Sequence, residues 1–510
     1  MLVGSLNLQR WASSVAEKDQ LYKQLHYGPS TTCRNNFTEV CIDYILEEFG
    51  FKLLRRPLTQ DEISEVKYGV ETIKGVGASS EQQIAFVHKY LLLHPSLFFR
   101  TEVGVISPDL KEIVELDQYE VASFLSYTVL GGAPDSELYE KAAQGLLKNP
   151  DVITEQIARL IADPNAKISL RNFFMDLLKV NTIDQVGTER FRPYRYSPNV
   201  RVINYPDGYN AHSFKINLTR LYKETEIFID RRLGENFNYM NVFQGNNFPV
   251  TKMNIALYGI RDYNEFGPLY DTPSNIIANT SDDGNDTLQD VIDYTAPVSE
   301  RNGILTHPAF LATHSNVSTK GMVKRGVFIL EQLLCHEMPS APADISPIEE
   351  APVGFDPTKL TSRQKFEILH SDQNACKFCH KSIDNIGGAL ENFANTGAFE
   401  TTESFEVDGS DYTLDIISSG EITDLEGINI KYDNSVSFTK EMASSERFKS
   451  CINTRLLEYI TGEKENDRNK CDYENQSNKL NTSGSFSYKD LISNYFNRDQ
   501  IFKRTTGAEE

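Results

Sequence analysis

The sequence predicts a mainly α-helical protein built from several modules, with a small β-hairpin region near its C-terminal end. Apolar residues recur at helical spacing in most segments, for example in 37–54 (FTEVCIDYILEEFGFKLL). Residues 401–435 instead alternate polar and apolar side chains around Asp408-Gly409, a pattern typical of a hairpin. Prolines punctuate the stretch from Pro339 to Pro357, which gives the clearest module boundary.

Local signals place the other elements in chain order. Thr59-Gln60-Asp61-Glu62 and Asp117-Gln118-Tyr119-Glu120 have the spacing of capping boxes, so each predicts a helix start. Further helices are expected at 216–233, 322–335, 437–461 and 487–503, and irregular or solvated segments at 184–212 and 272–300. We therefore expect four modules: an N-terminal helical one at 1–105, the main helical one at 106–245, one with the proline-rich linker at 246–357, and a C-terminal one at 358–510.

The composition excludes some functions. The 510 residues carry a formal net charge of -21, and the pI is about 5.0. Binding to nucleic acid requires basic surface, so we predict none. No apolar run reaches the length of a membrane span, so we predict no transmembrane segment. The first thirty residues lack a basic region followed by an apolar core, so no signal peptide is visible.

The chemistry is carried by one short motif, Cys376-Lys377-Phe378-Cys379-His380. In a CxxCH motif each thiol adds to one haem vinyl group, and the adjacent histidine is held under the iron as its axial ligand. The motif predicts one covalent haem c, and hence that residues 358–510 form a c-type haem domain. A structural zinc site would need a second pair of ligands nearby, and none is present. A thioredoxin-like pair would need a βαβ context, whereas this segment has the pattern of loop and helix.

The sixth iron ligand decides between an electron carrier and an enzyme. His370 is the first candidate because it precedes Cys376 by six residues, close enough for the chain to fold it over the haem. Met442 is the second, since it follows His380 by about sixty residues, as in small cytochromes c. A surface role for His370 and a core role for Met442 remain alternatives. The other candidates are His314, His336, Met322 and Met338.

Five cysteines lie outside the motif, and they are Cys33, Cys41, Cys335, Cys451 and Cys471. Haem is attached to CxxCH sites outside the bacterial cytoplasm or in organelles, where close thiol pairs tend to oxidise. We therefore expect disulfides Cys33–Cys41 and Cys451–Cys471, with Cys335 left unbonded. The alternative is that these are ordinary buried thiols in a reducing compartment. Export also implies that the chain is trimmed or that its gene start is missing.

The residues around the motif, SDQNACKFCHKSIDNIGGALENFANTGAFE, resemble the haem segment of the secreted planctomycete-type cytochrome c family. Its members are assembled from consecutive domains of unknown function, and the resemblance runs from about residue 30 to 505. CIDYILEEFGFKLLRRPLTQDE, LDQYEVASFLSYTVLGGAPDSELYEKAAQGLL and GILTHPAFLATHSNVSTKGMVKRGVFILEQLLCHEMPSAP each resemble one of its modules. The resemblance implies haem binding by Cys376, Cys379 and His380, and a role near the iron for His370. This chain has Asp384-Asn385 where the family usually has Asp-Pro.

Three functions follow as hypotheses. The first is an exported, periplasmic or extracellular mono-haem cytochrome that exchanges electrons with a redox partner protein, whose docking patch should be basic. The second is a haem enzyme of peroxidase or oxygenase type with an open sixth site. The third is a polysaccharide-associated binding or scaffold protein in which the haem is accessory. The large helical modules exceed what electron carriage requires, which keeps the second and third hypotheses open.

Overall fold

The computed structural model describes eleven stretches of the chain: 36–100, 102–106, 113–185, 218–251, 291–316, 319–339, 358–371, 374–425, 427–466, 469–498 and 501–505. It also describes residues 33, 254, 257, 258 and 356. The sequence predictions for 1–30, for most of 184–212 and for most of the proline-rich linker lie outside these residues. The described part is mainly helical, as predicted, and its strands are short. Within it, no helix combines the length and the apolar character that crossing a bilayer requires.

The chain divides into two compact units. Unit 1 comprises Met1–Ala166 and Ile492–Glu510, and unit 2 comprises Lys167–Leu491. Unit 1 is discontinuous in sequence, because the last nineteen residues of the chain belong to it, whereas unit 2 is one continuous range. The four module boundaries expected from the sequence stay predictions.

Unit 1 consists of helices and one three-stranded antiparallel sheet. Its helices are α1 (Glu39–Tyr44), α2 (Phe51–Leu54), α3 (Gln60–Gly75), α4 (Ser80–Leu93), α5 (Pro95–Phe98), α6 (Gln118–Leu130), α7 (Ser136–Ala143) and α8 (Pro150–Ile161). A π-helical turn, Ile45–Gly50, joins α1 to α2. The sheet has the order β1 (Val105–Ile106), β2 (Ile113–Glu115) and β9 (Lys503–Thr505).

Both predicted capping boxes are confirmed. The side chain of Thr59 accepts a hydrogen bond from the backbone amide of Glu62, and the carboxylate of Glu62 accepts one from the backbone amide of Thr59. Asp117 and Glu120 make the same reciprocal pair at the start of α6. Because four backbone N–H groups at a helix start lack intrahelical partners, these pairs fix where α3 and α6 begin.

Unit 2 consists of helices and paired antiparallel strands. Its helices are most of α9 (Pro164–Leu177), α10 (Leu218–Leu233), α11 (Pro308–Thr313), α12 (Met322–Phe328), α13 (Ser362–Ser371), α14 (Asn374–Gly388), α15 (Ser435–Ser444), α16 (Glu446–Thr461), α17 (Lys470–Ser483) and the first turn of α18 (Tyr488–Phe496). Its strands form antiparallel pairs: β3 (Asn247–Thr251) with β4 (Val291–Thr295), β5 (Thr402–Val407) with β6 (Ser410–Asp415), and β7 (Gly420–Leu425) with β8 (Ile428–Tyr432).

Four elements differ from the sequence prediction. The helix expected at 487–503 ends at Phe496, and Lys503 already belongs to β9. The helix expected at 437–461 is two helices, because Ser445 takes an extended conformation and its side chain caps α16. The hairpin region at 401–435 holds two hairpins, of which the first turns at Asp408-Gly409, as predicted. The segment 272–300, expected to be a solvated loop, ends in β4, whose pairing with β3 is a long-range contact that local polarity does not indicate.

Candidate functional site

The CxxCH motif lies on α14. Cys376 and Cys379 are three residues apart, and Cys376 and His380 are four apart, so the three positions share one face of the helix. The side chain of Cys376 lies outside the described residues. Cys379 and His380 are each partly exposed, and the thiol of Cys379 is not in a disulfide. The helix therefore presents the two motif cysteines and His380 along a single face.

His380 is oriented by a carboxylate on its own helix. Its Nδ1 lies 2.9 Å from Oδ1 of Asp384, one helical turn further along. Since a carboxylate only accepts, Nδ1 carries the proton, and the lone pair of a neutral ring is then on Nε2. A histidine held by a carboxylate at one nitrogen and turned to a metal at the other is a recurrent arrangement in metalloproteins. The residues present therefore fit an axial haem ligand.

Two glycines let α12 lie directly against α14. A Cβ atom at Gly326 would lie 2.2 Å from the carbonyl oxygen of Ile383, and one at Gly387 would lie 2.0 Å from that of Met322. Neither position has space for any side chain, so backbone meets backbone at both points. The C-terminal half of α14, which carries Asp384, is thereby fixed against its neighbour.

The chain that follows α14 is held by a buried guanidinium. Arg325 is 0% exposed and donates to four main-chain carbonyl oxygens. Its Nη1 lies 3.1 and 3.0 Å from those of Leu390 and Phe393, and its Nη2 lies 3.2 and 2.9 Å from those of Leu311 and Ala394. Burial lowers the pKa of Arg325 to about 10, so it remains a cation near neutral pH. In the irregular segment 389–394, the carbonyl oxygens of Leu390, Phe393 and Ala394 thus accept hydrogen bonds from a side chain.

Arg301 is a second buried arginine that donates to main-chain carbonyl oxygens. It is 1% exposed, and it donates to the carbonyl oxygens of Thr306, Leu257 and Gly397 at 2.5, 2.6 and 2.8 Å. Its guanidinium also lies 5.0 Å from the ring centroid of Phe393, within range of a cation–π contact. Two arginines, neither on α14, therefore determine the path of residues 389–397.

Asn385 is fixed from two sides. Its side chain donates to the carbonyl oxygen of Lys381 at 2.9 Å and accepts from Arg363 at 3.3 Å. The hydroxyl of Tyr432 donates to the backbone carbonyl of Asn385, and Arg363 also donates to that of Ser419 at 2.8 Å. The family that the sequence resembles usually has proline at this position. Here the side-chain amide of Asn385 makes two hydrogen bonds, and Asn385 thereby links α14 to α13 and to the second hairpin.

The first two candidates for the sixth ligand lie in different places. His370 is near the end of α13, which packs against α14, but its side chain lies outside the described residues. Met442 is 0% exposed on α15, which packs against β8 and α16. Their role as iron ligands stays a prediction.

His314, another candidate, is occupied by a structural contact. Its Nε2 donates to the carbonyl oxygen of Leu178 at 2.9 Å, and its ring centroid lies 3.9 Å from that of Phe328. Burial lowers the pKa of His314 to about 3, so the ring is neutral. The described geometry is that of a packed core histidine.

One of the two predicted disulfides is confirmed. Cys33 and Cys41 are bonded, with Cα atoms 5.8 Å apart. The prediction of Cys451–Cys471 is wrong, because Cys451 is bonded to Cys335 at a Cα separation of 5.5 Å, and Cys471 is an exposed, unbonded thiol. Cys335, expected to be unbonded, is therefore part of a bridge.

Helix register explains the wrong pairing. Helices α16 and α17 are antiparallel: Asn453 bonds Ser477 at 3.1 Å, whereas Thr461 bonds Tyr473 at 2.7 Å. Cys471 therefore lies beside the far end of α16, about ten residues or roughly 15 Å along the axis from Cys451. Cys451 and Cys471 therefore lie on neighbouring helices, but too far apart along the helix axis to form a disulfide.

A cavity of about 390 Å³ also lies in unit 2. Its polar lining includes Gln244, Asn246, Arg301, Asn302 and Lys440. Arg301 donates to main-chain carbonyls, as described above, and Asn302 binds the amide of Gly245 and the hydroxyl of Thr439. Its most buried polar groups are thus part of the framework of unit 2.

Two models of known protein families match parts of the chain. Residues 116–260 match PSD4, a protein of unknown function (DUF1592), and residues 301–403 match PSCyt3, a protein of unknown function (DUF1588). Both are domains of planctomycete-type cytochrome c family proteins, which is consistent with the resemblance noted in the sequence. The second match includes α14 and therefore the CxxCH motif. No curated protein and no solved structure matches the chain.

Sequence reasoning missed the contact of Asp384 with His380. Its spacing of four residues from His380 on a predicted helix was the available signal, since such pairs lie on one face. Arg301 and Arg325 gave no such signal, because their acceptors are up to 96 residues away. Their role depends on the fold.

Proposed function

We propose that this protein is an exported mono-haem c-type cytochrome that exchanges electrons with an extracytoplasmic redox partner. The observation that carries the proposal is the placement of Cys376, Cys379 and His380 along one face of α14, with His380 bonded to Asp384. Both matched family models, which are domains of cytochrome c family proteins, support it.

Each residue of the site has a definite task in this proposal. Cys376 and Cys379 would attach the haem through thioethers, and His380 would bind the iron through Nε2. Bound haem supplies an iron that gains and loses one electron. Asp384 holds the Nδ1 proton of His380, and the contact of α14 with α12 keeps the helix in place.

Other features agree with this location and role. Two disulfides are formed, which is compatible with an oxidising, extracytoplasmic compartment. The net charge of -21 favours a partner with a basic docking patch, because complementary charge speeds encounter. We therefore expect electron exchange to slow as the ionic strength rises.

The direct test is the intact mass of denatured protein matured in a haem-ligating bacterial host. The mass should exceed that of the polypeptide by one haem, and Cys376→Ala and Cys379→Ala should each remove one thioether. Cys471→Ser is the matched control, since it removes an exposed, unbonded thiol outside the motif. A wild-type mass equal to that of the polypeptide would overturn the proposal.

A haem enzyme of peroxidase or oxygenase type is the second candidate, and the His380–Asp384 contact favours it. A carboxylate partner makes an axial histidine more basic, which strengthens electron donation to the iron. The absorption spectrum separates the two functions. An electron carrier should be low spin and slow to bind carbon monoxide, and His370→Ala or Met442→Ala should convert it to high spin if that residue is the sixth ligand. A wild-type protein that is already high spin and binds carbon monoxide rapidly would favour the enzyme.

A further inference from the structure

The carboxylate of Asp384 lies in a restrained position beside the axial-ligand candidate. Its side chain is 7% exposed, whereas that of His380 is 22% exposed. An acidic residue one helical turn after a histidine is often only a solvated surface pair, worth a few tenths of a kcal/mol. Asp384 is instead almost fully buried, so this explanation does not account for its placement.

The residues on either side of Asp384 leave it little freedom. Ile383 has its carbonyl oxygen against Gly326, where no Cβ atom could fit. Asn385 accepts from Arg363 and, at its backbone carbonyl, from Tyr432. The backbone at 383–385 is therefore fixed by three other elements, and the carboxylate is presented to Nδ1 of His380 without depending on the rotamer of an exposed side chain.

We infer that Asp384 is a positioning residue that holds the Nδ1 proton of His380 and thereby lowers the reduction potential of the iron. The inference rests on the proposed function, because it concerns a histidine that binds haem. Asp384 is thereby added to the residues of the proposed haem site, and it acts on the iron only through His380.

The physical reason is the charge of the acceptor. An axial histidine can donate its Nδ1 proton to a neutral backbone carbonyl, to water or to a carboxylate. A carboxylate draws the proton further from the ring and adds negative charge near the iron, and both effects stabilise the ferric state relative to the ferrous state. The structure pairs His380 with the most strongly accepting of these three partners.

The test compares the holoprotein with its Asp384→Asn variant, which keeps the shape and an acceptor oxygen but removes the charge. The midpoint potential, measured by spectroelectrochemistry, should be higher in the variant. We expect on the order of a tenfold loss in the preference for ferric iron, equivalent to about 59 mV for a one-electron couple. Asp408→Asn is the matched control, since Asp408 is an exposed hairpin residue whose left-handed conformation asparagine also adopts.

A second measurement uses the wild-type protein and so does not depend on the folding of a variant. In reduced holoprotein labelled with ¹⁵N at histidine, the Nδ1–H resonance of His380 should be protected from exchange and shifted downfield, as expected for a bond to a carboxylate. If it exchanges rapidly with solvent, the inference is overturned.

The outcomes distinguish this inference from the proposed function. If no haem is attached to wild-type protein, the proposed function fails. If haem is attached to both proteins and Asp384→Asn has the same potential as Asp408→Asn, the function stands and the role of Asp384 is overturned. If Asp384→Asn changes only the free energy of unfolding, Asp384 is merely structural, which also overturns it.

Discussion

Two irregular segments, one in each unit, are held by buried charges of opposite sign. In unit 1, the carboxylate of Glu120 accepts from the backbone amides of Val103 and Gly104 at 2.7 and 3.1 Å. In unit 2, the guanidinium of Arg325 donates to three backbone carbonyls within 389–394 and to that of Leu311. In both, a charged side chain on a helix hydrogen-bonds to backbone groups of a segment that is not part of a regular ladder.

The difference lies in how completely each segment depends on its charge. Arg325 is fully enclosed, and no solvent could replace it at the four carbonyls. Glu120 is 8% exposed, and the amides it binds belong to a segment in which the side chain of Val103 is 72% exposed. Water could therefore take over part of the role of Glu120 but not that of Arg325. We therefore expect the free energy of unfolding to fall further when the charge of Arg325 is removed than when that of Glu120 is removed.

The largest effect is expected for Arg325→Met, which keeps the length of the side chain and removes every donor. Four carbonyls would each lose a buried charged donor, so the free energy of unfolding should fall by about 4 kcal/mol or more. Urea unfolding followed by circular dichroism measures this loss. Arg325→Lys is the matched control: it keeps the charge but not the planar fork, and should recover only part of the loss. A loss below about 1 kcal/mol in Arg325→Met would contradict the argument.

A smaller effect on the free energy of unfolding is expected from the titration of Glu224. It tests whether solvent reaches this carboxyl in the interior of unit 2. Burial raises the pKa of Glu224 to about 7, although Thr251 and Asn254 donate to its carboxyl. The unfolded carboxyl loses its proton near pH 4.5, so the folded state holds more protons between about pH 4.5 and 7. The free energy of unfolding should therefore fall as the pH rises through that window.

Glu224→Gln removes this titration and provides the measurement. The variant should gain about 3 kcal/mol relative to wild type between pH 4.5 and 8. His307, whose pKa burial lowers to about 3, titrates in the opposite sense and is common to both proteins. A difference between the two that does not change with pH would mean that Glu224 is solvated.

Glu120→Ala should have an intermediate effect in unit 1. Val103 and Gly104 lose their acceptor, and α6 loses its capping box, so we expect a loss of about 2 kcal/mol. Hydrogen exchange should accelerate at the amides of Val103 and Gly104, while Glu120→Gln should keep part of their protection. If exchange at these amides is unchanged, the carboxylate does not hold the segment.

The smallest effect is expected for a surface arginine whose guanidinium donates to both oxygens of one carboxylate. Arg159 in unit 1 contacts both oxygens of Asp135, and the two side chains are 31% and 43% exposed. Arg159→Ala should cost less than about 1 kcal/mol, because solvent screens such pairs. A loss as large as that of Arg325→Met would show that the fork geometry, rather than burial, governs both cases.

Sequence reasoning succeeded where the determining contacts are local. The capping boxes at Thr59 and Asp117 are contacts between residues three apart, and the Cys33–Cys41 bridge joins residues eight apart. The haem site at the CxxCH motif stays a prediction. The partners of Arg325 are up to 69 residues away, so its burial could not be read from its neighbours. The same reason explains the disulfide error, since Cys451 lies nearer in sequence to Cys471 than to its real partner.

The Cys335–Cys451 bridge closes a loop of 116 residues, and both cysteines of the CxxCH motif lie inside it. In the proposed cytochrome, disulfide formation and haem attachment would draw on thiols that can exchange with one another. A thiolate at Cys379 could attack an immature bridge and remove itself from the haem site. The order of covalent steps therefore matters during maturation: once Cys335 and Cys451 are paired, four of the seven cysteines are in bridges, and Cys471 is the one remaining competitor of the haem thiols.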